Sequence, residues 1–130
     1  MASTAGASEL LFQFGSDSRA SGAAREVVRA AVGDLRREIL SDVLLCVTEL
    51  VTNSVTQPAA EPGDVVELRL LRDDHVLRVE IADRDRGVTV ECARRAPGDP
   101  AFGLYIVELL ADRWGVERGE QRRIWFEKNV

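Results

Sequence analysis

A carboxylate and a carboxamide stand one helical turn apart in the segment CVTELVTNSV, residues 46–55. Glu49 and Asn53 are at positions i and i+4, so they share one face of any helix that contains them. An asparagine side-chain oxygen can bind a hard cation such as Mg²⁺, and a glutamate one turn earlier can act as a general base on a water or a hydroxyl. The alternative is a polar stripe that faces water, which periodicity alone favours.

A second carboxylate, that of Asp83, ends the predicted strand HVLRVEIAD. The core side of this strand is marked by alternating apolar residues, namely Leu77, Val79 and Ile81. Asp83 continues this set with a period of two, so its side chain is predicted to point toward the core. A carboxylate there is costly unless a donor meets it. Asp83 therefore either begins a turn at the strand end or faces a cavity beneath the helix, where a ligand amine would donate to it.

A glycine opens the third predicted helix, in FGLYIVELLADRW. A helix N-terminus offers unpaired N–H groups that suit a phosphate, and Gly103 would let a ligand approach the backbone closely. A simple hinge or turn at Gly103 is the alternative. The preceding loop contains four arginines that either pair with phosphates or are solvated: Arg84, Arg86, Arg94 and Arg95.

The elements that must position these residues follow from the pattern along the chain. A first helix is predicted from about Ser18 to Leu35, and a second begins near Ser41 as its N-cap and ends before QPAAEPGD. Two strands joined by the tight turn RDDH follow, then the third helix and two closing strands. This order predicts an α/β (α+β) two-layer sandwich with helices on one face of a largely antiparallel sheet. The charged outward residues predict a solvated second face: Glu67, Arg69, Arg78 and Glu80.

Length and composition limit the possible functions. The 130 residues fit one domain, predicted as residues 9–130 behind a flexible leader at residues 1–8. A net charge of −5 argues against nucleic acid as a direct partner. No signal segment or bilayer-spanning run is expected, which predicts a cytoplasmic protein without membrane contact. Cys46 is predicted to be a small buried hydrophobe, and Cys92 lies in a polar loop.

The order of these motifs resembles the ATPase superfamily shared by DNA gyrase, Hsp-type chaperones, histidine kinases and mismatch-repair proteins, known as the GHKL or Bergerat fold. Within it, the chain looks most like the small bacterial serine kinases that act as anti-sigma factors. TELVTNSV matches their N box, VEIADRDRG their first glycine box of the form DxGxG, and FGLYIVELLADRWGV their second glycine box. The resemblance implies a Bergerat ATP-binding fold with a mixed, largely antiparallel sheet.

The resemblance also implies a role for each matching position. Glu49 matches the general base, Asn53 the Mg²⁺ ligand, and Asp83 the aspartate that accepts a hydrogen bond from the adenine amine. Two glycine-box positions and the residue after the second, Gly87, Gly103 and Leu104, are implied to bind the nucleotide. The loop from Arg84 to Ala101 corresponds to the lid over ATP.

Both glycine boxes depart from the family pattern. Asp85 stands where the first glycine of DxGxG is usual, and Ala101 and Phe102 replace the usual Gly-Arg before Gly103. Both changes predict weaker phosphate binding and put turnover in doubt.

The function implied is an ATP- and Mg²⁺-dependent serine/threonine protein kinase that phosphorylates a small anti-anti-sigma partner. Release of that partner would free the chain to hold a sigma factor, and a homodimer is possible because relatives commonly dimerise. The alternative is a degenerate nucleotide-binding or non-catalytic protein-interaction module in transcriptional regulation.

Overall fold

A computed structural model describes residues 8–56, 61–84 and 102–130 of the chain. Within these ranges, the helices are α1 (Ala20–Val32), α2 (Arg37–Thr56) and α3 (Phe102–Leu110). The strands are β1 (Ser8–Gly15), β2 (Val65–Arg72), β3 (Val76–Arg84), β4 (Arg113–Glu117) and β5 (Gln121–Asn129). The predicted leader falls outside the described ranges, except that Ser8 is the first residue of β1.

The five strands form one sheet in the order β1-β2-β3-β5-β4, and every neighbouring pair in it is antiparallel. The predicted tight turn between β2 and β3 is confirmed. Its conformation is fixed by Asp73, whose Oδ1 accepts from the backbone N–H of His75 at 2.8 Å and of Val76 at 2.9 Å. A turn carboxylate that binds the backbone two and three residues ahead is a common way to close a short loop.

The helices cover one face of the sheet, as predicted. The core side of the three central strands consists of alternating buried apolar residues: Val66, Leu68, Leu70, Leu77, Val79, Ile81, Ile124 and Phe126. The apolar stripe of α2 packs on them with Val43, Val47, Leu50 and Val51. This two-layer packing matches the period of two in the strands and of 3.6 in the helix.

The second helix begins earlier than predicted, at Arg37 rather than near Ser41. The backbone N–H of Leu40 already donates to the carbonyl of Arg36 at 2.9 Å, and Ser41 is exposed within the helix. Ile39 is buried and extends the apolar stripe by one turn, so its packing energy outweighs the capping preference of Ser41.

By length and composition alone, α2 could cross a membrane, contrary to the expectation that no run in the chain could. In this structure eight of its residues are buried, and seven of them belong to the hydrophobic core. A long apolar helix that packs on a sheet meets the same criteria of length and composition. The burial of α2 therefore accounts for its apolar composition.

The second face of the sheet is charged, as predicted, but Glu80 on that face is not solvated. Its side chain is surrounded by three guanidinium groups, at 2.8 Å from Arg78, 3.4 Å from Arg123 and 3.7 Å from Arg69. Because these arginines come from all three central strands, Glu80 is only 7% exposed. The prediction of full solvation was wrong for Glu80 because it ignored its cross-strand neighbours.

Gly115 in β4 provides the space for a tryptophan ring on the same face. A Cβ at Gly115 would lie 2.8–2.9 Å from three ring atoms of Trp125, and the guanidinium carbon of Arg78 lies 4.1 Å from the centroid of that ring. We expect Gly115→Ala to lower the free energy of unfolding by about 1–3 kcal/mol, the usual cost of overpacking. Urea unfolding followed by tryptophan fluorescence measures this change.

Gly22 in α1 is the matched control for this substitution. It is exposed, and no atom lies within 4 Å of a Cβ built there. Gly22→Ala should raise the free energy of unfolding by about 0.5–1 kcal/mol, since alanine favours the helix. Equal effects of the two substitutions would contradict the contact between Gly115 and Trp125.

Candidate functional site

The C-terminal half of α2 lies over the end of β3. Ser54 is buried in α2, and its hydroxyl donates to Oδ2 of Asp83 at 2.5 Å. Asp83 is 6% exposed, so the inward orientation predicted from the strand period is confirmed. Glu49 and Asn53 belong to the same half of the helix, five positions and one position before Ser54.

The partner of Asp83 is an arginine that the sequence analysis missed. Arg122 of β5 is paired with Asp83 of β3 in the sheet register, and it is 3% exposed. Its Nε donates to Oδ1 of Asp83 at 3.1 Å, and its Nη2 donates to Oδ2 at 2.7 Å. The period of two along β5 could have shown that Arg122 points inward, because it lies on the side of the core residues Ile124 and Phe126.

This contact is a bidentate ion pair in the interior of the domain. Two parallel N–H···O bonds between a guanidinium and a carboxylate fix the relative orientation of both groups. A complete buried pair contributes little net stability, but removal of one partner is costly because it leaves an uncompensated charge. The donor that Asp83 was expected to find on a ligand is thus present within the protein.

Glu49 and Asn53 lie at the boundary between the core and the surface. Both side chains are half-buried, whereas Thr52 and Thr56 on the same helix are exposed. Glu49 makes no hydrogen bond or ion pair with the described part of the chain. A partly buried carboxylate without a partner is available to accept a proton, and Asn53 one turn later carries an oxygen suited to a hard cation.

The N-terminal turn of α3 carries two further predicted ligand residues. Gly103 is the second residue of α3, and the Leu104 side chain is 2% exposed and belongs to the hydrophobic core. Gly87 and the lid beyond Arg84 lie outside the described residues, as do Asp85 and Ala101. The predicted contacts of these residues with a nucleotide therefore stay predictions.

Cys46, one turn before Glu49 and Leu50, is not a reactive group. Burial raises the pKa of its thiol to about 12, and the negative charges of Asp42 and Glu49 act in the same direction. The opposing charge of Lys128, whose Nζ lies 3.0 Å from Asp42, is too weak to reverse this shift. A thiol with so high a pKa stays protonated, which confirms Cys46 as a small buried hydrophobe. Cys92 lies outside the described residues.

Asn53 suits the Mg²⁺ of a bound Mg²⁺·ATP, whereas Asp83 as arranged does not suit the adenine. In the described ranges, no group of three or more His, Cys, Asp or Glu side chains could hold a metal ion. Mg²⁺ does not require such a group, since it is commonly held by one or two protein oxygens together with phosphates and waters, and Asn53 suits that role. At the end of the site that is predicted to bind the adenine, called the base-binding end below, Arg122 already donates to both oxygens of Asp83. As arranged, an adenine amine would have to compete with Arg122 for this carboxylate.

Comparisons with known proteins agree with the fold. The solved structure of the RsbU and RsbW domains of Rv1364c from Mycobacterium tuberculosis is similar, with a TM-score of 0.69 at 17% identity. The match covers 93% of this chain and 32% of that one, so this chain spans about a third of the length of the chain it matches. At this identity the likeness shows the two-layer α/β fold. No curated protein matches the sequence significantly.

A family model covers nearly the whole chain. The model for the histidine kinase-like ATPase domain matches residues 14–128, from the end of β1 almost to the end of β5. This range includes both layers of the sandwich and all the site residues named above. The resemblance seen in the N box and the glycine boxes is confirmed: the chain belongs to the family of histidine kinase-like ATPase domains.

Proposed function

We propose that the chain is an ATP-binding regulator that acts as a serine/threonine protein kinase on a small partner protein of the anti-anti-sigma type. The single observation that carries this proposal is the half-buried carboxylate of Glu49, which has no partner in the described part of the chain and lies one turn from Asn53. A scaffold without chemistry has no need of both groups at the edge of the core. Membership of a family of ATPase domains supports the same choice.

Each residue has a distinct role in this proposal. Glu49 accepts the proton of a serine or threonine hydroxyl on the partner, which makes that oxygen a better nucleophile. Asn53 holds Mg²⁺, and bound ATP supplies the phosphoryl group. The phosphorylated partner carries about two additional negative charges, which disrupt an interface formed around a neutral hydroxyl. Release of the partner then frees this chain to bind a sigma factor.

The setting of this activity is also part of the proposal. We place the protein in the cytoplasm, with no direct role for nucleic acid or a membrane. β1 is an edge strand of the sheet, and its exposed Leu10 and Leu11 make it the candidate surface for a homodimer.

A non-catalytic protein-interaction module is the second candidate, and the ion pair between Arg122 and Asp83 favours it. A carboxylate already bound by an internal guanidinium recognises a base poorly. The substitutions Asp85 and Ala101 in the glycine boxes point in the same direction. In this case the domain serves only to bind a protein partner.

Binding of ATP with and without Mg²⁺ distinguishes the two candidates. We expect the native chain to bind ATP in a Mg²⁺-dependent manner, measured by calorimetry. Asn53→Ala should weaken binding in the presence of Mg²⁺ by about tenfold or more, since a contact to a charged group contributes about 1.5–3 kcal/mol.

Thr52→Ala is the matched control, because Thr52 is the exposed neighbour of Asn53 on α2. This substitution should leave binding unchanged. An increase in the ATP affinity of Asn53→Ala on addition of Mg²⁺ that is as large as the increase for the native chain would contradict the role of Asn53. Absence of ATP binding by the native chain would remove the kinase and leave the interaction module.

A further inference from the structure

We propose that Arg122 is an internal competitor for the base-binding end of the site. Its guanidinium occupies the Asp83 carboxylate that the exocyclic amine of a nucleotide base would use, and it thereby limits both the affinity for adenine nucleotides and the selectivity for adenine. This inference rests on the proposed function, because it takes the ligand of the site to be a nucleotide.

The contacts of Asp83 show how the competition arises. Oδ1 accepts from Nε of Arg122, and Oδ2 accepts from Nη2 of Arg122 and from the hydroxyl of Ser54. A carboxylate offers about four acceptor positions on its two oxygens, and these three donors are well placed in distance. A guanidinium N–H and the amine of a base are donors of the same kind, so they seek the same acceptor positions.

The position of Arg122 is fixed by the sheet. Its register partner across the β3–β5 ladder is Asp83, and the next pair on the same face, Ile81 with Ile124, belongs to the core. The side-chain period of a strand therefore keeps Arg122 on the side of α2, where the site lies. A base amine that takes an acceptor position now used by the guanidinium must displace it there and break at least one of its two hydrogen bonds to Asp83. That loss opposes ligand binding.

Selectivity for adenine should be affected for the same reason. The amine of ATP donates to a free carboxylate, whereas inosine triphosphate (ITP) has a carbonyl oxygen at that position, which the carboxylate repels. A free Asp83 would thus favour ATP over ITP. With Arg122 bound to both oxygens, the native chain should not distinguish the two nucleotides by this group.

The test compares the affinities of the full chain and its variants for Mg²⁺·ATP and Mg²⁺·ITP by calorimetry. Arg122→Ala should bind ATP about tenfold or more tightly than the native chain, and its ratio of ATP to ITP affinity should rise from near one to about tenfold or more. Arg122→Gln keeps a neutral donor beside Asp83 and serves where the alanine variant does not fold, as judged by circular dichroism. It should shift both quantities in the same direction.

Arg123→Ala is the matched control. Arg123 is the next residue of the same strand, but it lies on the opposite face, where it pairs with Glu80 at 3.4 Å and Glu117 at 3.5 Å. Its removal lowers the charge of the chain by the same amount without touching Asp83. Both nucleotide affinities should stay at the native values.

The possible outcomes separate this inference from the proposed function. If the Arg122 variants bind ATP no more tightly than the native chain and with the same ratio to ITP, the inference is overturned and the proposed function stands. If only the variants bind ATP, the inference is supported and the native chain is not a kinase. If neither the native chain nor any folded Arg122 variant binds ATP, both are overturned.

Discussion

Replacement of Arg122 by alanine should lower the free energy of unfolding by about 3–5 kcal/mol, because a buried charge that loses its partner is strongly destabilising. Asp83 is 6% exposed and would keep only the hydroxyl of Ser54 among the donors described above. Urea unfolding followed by circular dichroism measures the change. Arg123→Ala, which removes a partly exposed arginine from the other face, should cost about 1 kcal/mol or less.

A double variant shows whether the cost comes from the unpaired charge. In Asp83→Leu/Arg122→Met both charges are replaced by apolar side chains of similar volume, and most of the lost stability should return. A loss for Arg122→Ala that is no greater than that for Arg123→Ala would contradict the buried ion pair. The pair would also be in doubt if the double variant were the least stable of the three.

The second large effect concerns Glu49. We expect Glu49→Gln to lower the rate of phosphoryl transfer to a serine of the partner by about 10²–10⁴-fold, the usual contribution of a general base. The affinity for ATP should stay unchanged, because glutamine has nearly the same shape and Glu49 is not assigned to nucleotide binding. Incubation with labelled ATP and purified candidate partners measures the transfer.

Glu38→Gln is the matched control for this substitution, since Glu38 is an exposed carboxylate in the first turn of the same helix. It should transfer phosphate at the native rate. Persistent transfer by Glu49→Gln would show that another group accepts the proton. A loss of transfer that is accompanied by a loss of ATP affinity would assign Glu49 to binding instead.

The architecture was predictable because each element carries its own period. Alternating Leu77, Val79 and Ile81 marked the core face of β3, and the same count placed Asp83 correctly. The start of α2 was not predictable from Ser41, since a residue with a high capping preference also occurs inside helices when packing extends the apolar stripe. Local preference and tertiary burial competed there, and burial prevailed.

The partners of the buried charges could not be predicted from any one segment. Arg122 meets Asp83, and Glu80 meets Arg123, only because β5 lies beside β3 in the sheet. The intervening chain contains α3 and β4, so this adjacency is a property of the topology and not of local sequence. The strand period indicated that Asp83 points inward, but its donor comes from the protein itself and not, as predicted, from a ligand.

The contacts among Ser54, Asp83 and Arg122 also bear on the rate at which the domain unfolds. They join residues separated by 29 and by 39 positions along the chain, and they link the helix layer to two strands. Long-range contacts that form only after the layers have docked are absent from the folding transition state, and such interactions act mainly by slowing unfolding. The same arginine that obstructs the base-binding end would thereby lengthen the lifetime of the native state. Relief of the obstruction would then come with a shorter lifetime.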